Sequence, residues 1–248
     1  MVREETLGLL LKELRMSNMA MRVEELAEIG REKSWSYEKW LAMMCEEEIA
    51  ARYRKKVARY KKESKLPTGK TLVTFDFKSA KSVNKELIIA LAENKSWLEK
   101  TENVIMFGPS GVGKSHLAAA IGHGQVDEGT RCLYSTTTAM VQKLQLSQRE
   151  YQLSDSLHKL DKYQLVILDD IGYCKKQESE TSVLFELIAH RYETGSLLIT
   201  ANQPFSAWDQ IFGNNMMAVA AIDRLVHHAK IINIKEESYR RRSAMSKT

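Results

Sequence analysis

The eight residues Gly108, Pro109, Ser110, Gly111, Val112, Gly113, Lys114 and Ser115 satisfy the pattern GxxxxGK[ST], whose chemistry is phosphate binding. Glycines let the backbone curl tightly enough to aim successive N–H groups at one phosphate, where side chains would block the approach. In that arrangement Lys114 bridges the β- and γ-phosphates of ATP as a point charge, and the Ser115 hydroxyl ligates Mg²⁺. His116 follows directly and completes the expected nucleotide-contact set. A helix beginning at Lys114 adds its N-terminal dipole.

A second element must hold the metal and prepare a water. The run LVILDDI, Leu165 to Ile171, delivers Asp169 and Asp170 at the end of an apolar strand. Asp169 is expected at Mg²⁺, directly or through a water, and Asp170 is expected to accept a proton from the attacking water or to orient it. Paired aspartates after a strand also serve as loop caps; the phosphate motif upstream favours the chemical reading. Leu197 to Thr200 ends in Ala201, Asn202 and Gln203, which places the Asn202 amide where a γ-phosphate would lie. A turn before Pro204 accounts for the same residues structurally.

These residues need a scaffold that brings strand ends together. Apolar, partly β-branched runs at 103–107, 131–135, 165–168, 196–200 and 230–234 read as five strands. Helical patterns at 114–124, 137–162, 180–192 and 206–228 are long enough to cross over a parallel sheet. The alternation predicts a doubly wound α/β domain over 67–248 with a five-stranded parallel sheet. Residues 1–66 contain no proline and show three-and-four apolar spacing, predicting a small all-helical N-terminal domain; Pro67, Thr68 and Gly69 mark the boundary.

The chain has 248 residues, 44% of them hydrophobic, enough for a sizeable core. No stretch approaches the roughly 20 apolar residues that span a bilayer, so a cytoplasmic protein with no membrane partner is expected. Cys45, Cys132 and Cys174 form neither a CxxC nor a Cys/His cluster, which argues against a metal or disulfide framework. The net charge of +5 is unevenly placed. Arg52, Arg54, Lys55, Lys56, Arg59, Lys61, Lys62 and Lys65 face the single acid Glu63, with Tyr53 and Tyr60 interleaved. That run is the first candidate for contact with a phosphate backbone, although basic helix faces are often merely solvated.

With these residues identified, the chain resembles the IstB group of AAA+ ATPases, the ATP-dependent helpers of insertion-sequence transposases, and more distantly the helicase loader DnaC. The resemblance rests on GPSGVGKSHLA from Gly108, LDDIGY from Leu168, HRYETGSLLITANQPFSAWDQIFG from His190, DRLVHHAKIINI from Asp223 and ESYRRR from Glu237. It implies a Walker A motif at Gly108–Ser115, a Walker B motif at Asp169 and Asp170, and sensor 1 at Asn202. It also implies an arginine finger at Arg224 that reaches a neighbour's ATP, and sensor 2 at Arg240.

Two departures from the group stand out. Asp170 occupies a position where many AAA+ proteins carry glutamate, a reach shorter by about one methylene. The short stretch after Ile234 predicts that the C-terminal lid domain is absent. Partners implied by the resemblance are double-stranded DNA, a cognate transposase and further copies of the chain in a ring or spiral. A helicase loader would share every nucleotide motif; a DNA-binding scaffold that binds ATP without hydrolysing it is a further reading. A small-molecule kinase also uses this loop but needs a closing lid, and the Arg224 motif argues against it.

Overall fold

The computed structural model describes residues 6–172, 178–208 and 215–236. Two compact units divide the chain, 1–59 and 60–248. The division falls inside a helix, before the expected break at Pro67. The reason is visible in the contacts: Lys61 pairs with Asp127 at 2.6 Å and Glu63 with Arg131 at 2.7 Å, so the end of that helix belongs to the second body.

The first unit contains α1 (Leu7–Glu13), α2 (Ser17–Glu32) and the greater part of α3 (Tyr37–Ser64). Met19, Val23 and Leu26 recur at helical spacing on α2 and bury against Met44 of α3. No side chain of its own caps α2. Its first amides are satisfied instead by Glu48 of α3, which accepts from Asn18 N at 2.8 Å and Met19 N at 3.0 Å. Arg52 completes the arrangement, donating to Glu48 Oε1 at 2.8 Å and to Arg15 O at 2.8 Å. Burial opposes the charge on Glu48, but the Met19 amide, Arg52 and the Asn18 amide together hold the carboxyl below its ordinary value.

The second unit is the expected α/β domain. Its elements are α4 (Lys85–Glu93), α5 (Ser96–Glu99), β1 (Asn103–Phe107), α6 (Lys114–Asp127), β2 (Cys132–Thr136), α7 (Thr137–Arg149), α8 (Leu153–His158), β3 (Leu165–Ile171), α9 (Glu178–Arg191), β4 (Ser196–Ala201), α10 (Asn215–Val226) and β5 (Ala229–Asn233). All strand pairs are parallel, in the order β2-β3-β4-β1-β5. Alternation along β1 sends Val104 and Met106 into one core layer with α4, α5 and α6, and Ile105 and Phe107 into the other with α7, α9 and α10.

Two local expectations are corrected. The single helix expected over 137–162 divides into α7 and α8, because Tyr151 turns to a φ of +56° and Gln152 N bonds back to Ser147 O at 2.7 Å. The helix expected over 206–228 is a 3-10 turn at Phe205–Ala207 followed by α10. α4 and α5 were not foreseen. Among the described residues no helix follows β5.

Candidate functional site

β1 leads directly into Gly108, which has a φ of +152° and runs so close to the end of β5 that a Cβ would lie 2.4 Å from Ile234 O. Gly113 opens α6 with a φ of +100°, and a Cβ there would meet the Phe75 ring at 2.7 Å. The loop between them therefore requires glycine for both conformation and space. It forms one wall of a cleft of about 410 Å³, with Asp170, Asn202, the segment around Thr74 to Ala80 and Glu236 as the others. That size suits a small-molecule ligand such as a nucleotide.

The buried Lys114 ammonium donates to Gly108 O at 2.7 Å, Pro109 O at 2.8 Å and Asn202 Oδ1 at 2.6 Å. With its oxygen on the ammonium, the Asn202 amide turns its Nδ2 to Asp170 Oδ1 at 2.9 Å. A flipped amide would lose both bonds, so the orientation is set by its neighbours. Lys114, Asn202 and Asp170 are thus joined in one chain across the ends of β1, β4 and β3.

The two aspartates have different surroundings. Asp169 is buried; Oδ2 accepts from the Tyr134 hydroxyl at 2.5 Å and Oδ1 from Thr200 Oγ1 at 2.6 Å. Burial first, then the bond to Asp169 and the charges of Asp169 and Asp170, push the Tyr134 hydroxyl above its usual range and keep it a donor. Asp170 lines the cleft. Pairing between β3 and β4 steps from Leu168↔Ile199 to Ile171↔Ala201, a bulge of one extra residue on β3, and Asp170 sits in it with a φ of +65°. Its N–H donates to Thr200 Oγ1 at 2.8 Å, so one threonine orients both acids.

His116 is engaged through its ring. It lines the cleft, but its Nε2 is held by Thr71 O at 2.9 Å and Thr74 Oγ1 at 3.1 Å, and its ring meets Phe75 edge-on. It fastens the 71–75 segment to the first turn of α6. That segment, with Tyr134 and Thr200, is what sequence reasoning missed. Phe75-Asp76-Phe77 was a usable signal: two aromatics in a stretch without helical or strand period have to dock somewhere, and here the rings meet at 4.8 Å.

The profile of the family described as IstB-like ATP binding protein matches residues 9–247. The chain belongs to that family. It is 47% identical to an insertion sequence ATP-binding protein of Sinorhizobium fredii, over 98% of this chain and 82% of that one. It is 37% identical to the insertion sequence IS21 ATP-binding protein of Pseudomonas aeruginosa, over 94% and 88% respectively. Among solved structures it is similar to the DnaC helicase loader, with a TM-score of 0.57 and 19% identity over 71% of this chain and 99% of that one. AMPPCP-bound DnaA from Aquifex aeolicus also has a TM-score of 0.57 and 19% identity, over 74% and 56%. The fold is that of a P-loop AAA+ ATPase, and the family's ligand is ATP.

Of the remaining residues expected from the IstB group, Arg224 lies away from the cleft. Arg224 is half-buried on α10; Nη1 donates to Ala220 O at 3.2 Å and the guanidinium stacks over the Phe185 ring of α9 at 5.2 Å. It is not among the residues lining the cleft. Arg240 and Cys174 lie outside the described residues. Of the basic run, Arg52 and Lys61 make ion pairs within their own units, and Arg52, Arg54, Lys55, Lys56, Arg59, Lys61 and Lys62 all have exposed side chains. No described helix is long and apolar enough to cross a membrane.

Proposed function

We propose that this protein is an ATP-hydrolysing, DNA-binding transposition helper that assembles on duplex DNA, recruits a transposase and is released after hydrolysis, working in the cytoplasm. The observation that carries the enzymatic part is the chain Lys114–Asn202–Asp170. Phosphate competes for the Lys114 protons, and any shift of that ammonium is felt by the amide and hence by the carboxylate that faces the water. The donor set fits ATP and Mg²⁺: a glycine cradle, a helix N-terminus, an ammonium, the Ser115 hydroxyl and two adjacent carboxylates.

Mg²⁺ held there would supply charge neutralisation to the nucleotide phosphates. Ser115 would ligate it, and Asp169 would hold it directly or through a water. Asp170 orients the attacking water and accepts its proton, while Asn202 keeps that carboxylate in register. Arg224 serves the neighbouring copy. Met216 and Val219 are exposed on the same helix, which suits α10 as the surface offered to a second subunit. Such a contact is head-to-tail and gives a ring or a spiral.

DNA contact is assigned to Arg54, Lys55, Lys56, Arg59 and Lys62, with Arg52 and Lys61 in supporting positions. Phosphate release measured with and without duplex DNA tests the reading; DNA-stimulated turnover is expected. No release in either condition leaves a DNA-binding scaffold, and capture of a replicative helicase with none of a transposase leaves a helicase loader. Replacing Arg54, Lys55 and Lys62 by alanine lowers DNA affinity for every sequence alike and flattens its salt dependence by roughly 0.9 log units per lost phosphate contact.

A further inference from the structure

At the opposite end of the sheet from the cleft, two corners of the second unit carry metal-ligating side chains. One is the turn between α9 and β4, where Glu193 adopts a φ of +58°. The other is the turn between α10 and β5, occupied by His227 and His228. One ligand atom from each of Glu193, His227 and His228 lies within 4.8 Å of the other two, and all three side chains are exposed. We infer that these residues form a binding site for a divalent transition metal of the zinc class, unconnected with the nucleotide.

The geometry carries this in three ways. Adjacent residues on a turn usually aim apart, yet the His227 and His228 rings lie 4.0 Å apart between centroids. His227 Nδ1 is hydrogen-bonded to the Tyr192 hydroxyl at 2.9 Å, which leaves Nε2 to ligate and supplies the outer partner that metal-bound imidazoles ordinarily have. The backbone is held on both sides: His228 O accepts from Asn103 N at 2.6 Å, His227 N donates to Asp223 O at 3.0 Å, and Thr194 N donates to Arg191 O at 3.2 Å.

Two imidazoles and one carboxylate favour Zn²⁺, Co²⁺, Ni²⁺ or Cu²⁺ over Mg²⁺ or Ca²⁺. Ligand atoms around one tetrahedral zinc lie about 3.3 Å apart, so a modest rotation of exposed side chains closes the site. Water completes the coordination. The bound ion staples the end of α9 to the end of α10, the two helices between which Arg224 stacks on Phe185.

The probe is Co²⁺ added to the full chain without nucleotide, read by its visible ligand-field absorption and checked by Zn²⁺ displacement. One Co²⁺ per chain with micromolar affinity is expected. His227→Gln and His228→Gln abolish the band, Glu193→Gln weakens binding at least tenfold, and Tyr192→Phe weakens it about tenfold through the lost outer partner. Asp169→Asn in the cleft and His158→Gln elsewhere leave it intact. Far-UV circular dichroism of the metal-free variants verifies folding. On the wild-type chain, Zn²⁺ protects His227 and His228 from diethyl pyrocarbonate but not His158. Absence of stoichiometric binding, binding that survives both histidine substitutions, or binding lost with Asp169→Asn would overturn the assignment.

Discussion

Tyr134→Phe removes one oxygen and tests whether Asp169 depends on its two hydroxyl donors. The bond to be lost is an O–H···O⁻ contact of 2.5 Å to a carboxylate that is 7% exposed. Hydrogen bonds to charged groups contribute about 1.5–3 kcal/mol, and Thr200 Oγ1 remains on the other oxygen, so the expected loss is about 2 kcal/mol, roughly 30-fold in the folding equilibrium. For a unit of this size that is a fall of about 4–8 °C in melting temperature.

The pH dependence gives the sharper test. Because the folded Tyr134 value is raised, its contribution is complete below the unfolded tyrosine value of about 10 and declines as pH rises toward the folded value. In that window the unfolded chain releases a proton that the folded chain keeps. Wild type thus loses about 1.4 kcal/mol per pH unit from this group, and the phenylalanine variant does not. Urea denaturation of both proteins between pH 7 and 11 cancels every other titrating group in the difference. The deficit of the variant should narrow above pH 10; a constant or widening deficit would refute the role assigned to the tyrosine.

Glu48 has the opposite sign: its folded value is depressed, so its stabilisation is present above the ordinary glutamate value of about 4.3 and lost as pH falls through the folded one. Glu48→Gln should therefore lose helicity in a 1–59 chain segment within the intact protein near neutral pH, measured by hydrogen exchange at Asn18 and Met19, and should show less further loss in acid. Gly108→Ala brings a Cβ within 2.4 Å of Ile234 O and should lower ATP affinity at least tenfold, consistent with about 1–3 kcal/mol for overpacking, by equilibrium titration. Arg224→Ala should bind ATP normally but turn over about a thousandfold slower. Mixing it with Lys114→Ala subunits should restore phosphate release; no rescue would mean that the arginine serves its own subunit.

What the sequence makes legible here is what is encoded locally. GPSGVGKS is contiguous, and its glycines report backbone demands that Gly108 and Gly113 bear out. The five strands are legible because a parallel sheet buried on both faces requires unbroken apolar runs, and Asn103–Phe107 coincides with its expected range. Asn202 is found at the expected strand end, bonded to Lys114 across 88 positions. The hydroxyls of Tyr134 and Thr200 could not be read in advance, since each is an ordinary strand residue until β2, β3 and β4 are aligned. The Glu48 cap on α2 likewise acts across 30 positions. The end of α7 at Tyr151 escaped because a positive φ at tyrosine carries no compositional mark.

The bulge in β3 accounts for the aspartate at position 170. A left-handed conformation is several-fold commoner for aspartate than for residues with longer side chains, because the short polar group can hydrogen-bond locally. The extra residue between Leu168 and Ile171 turns Asp170 out of the alternation that buries Asp169 and delivers it to the cleft, 2.9 Å from Asn202 Nδ2. In the proposed function, that backbone turn takes the place of the reach a glutamate would give. The same turn lets Thr200 Oγ1 accept from the Asp170 amide while donating to Asp169, so the two carboxylates share one positioning residue. Neighbouring acids in one strand thereby take separate surroundings: Asp169 stays buried against the Tyr134 and Thr200 hydroxyls, and Asp170 lines the cleft.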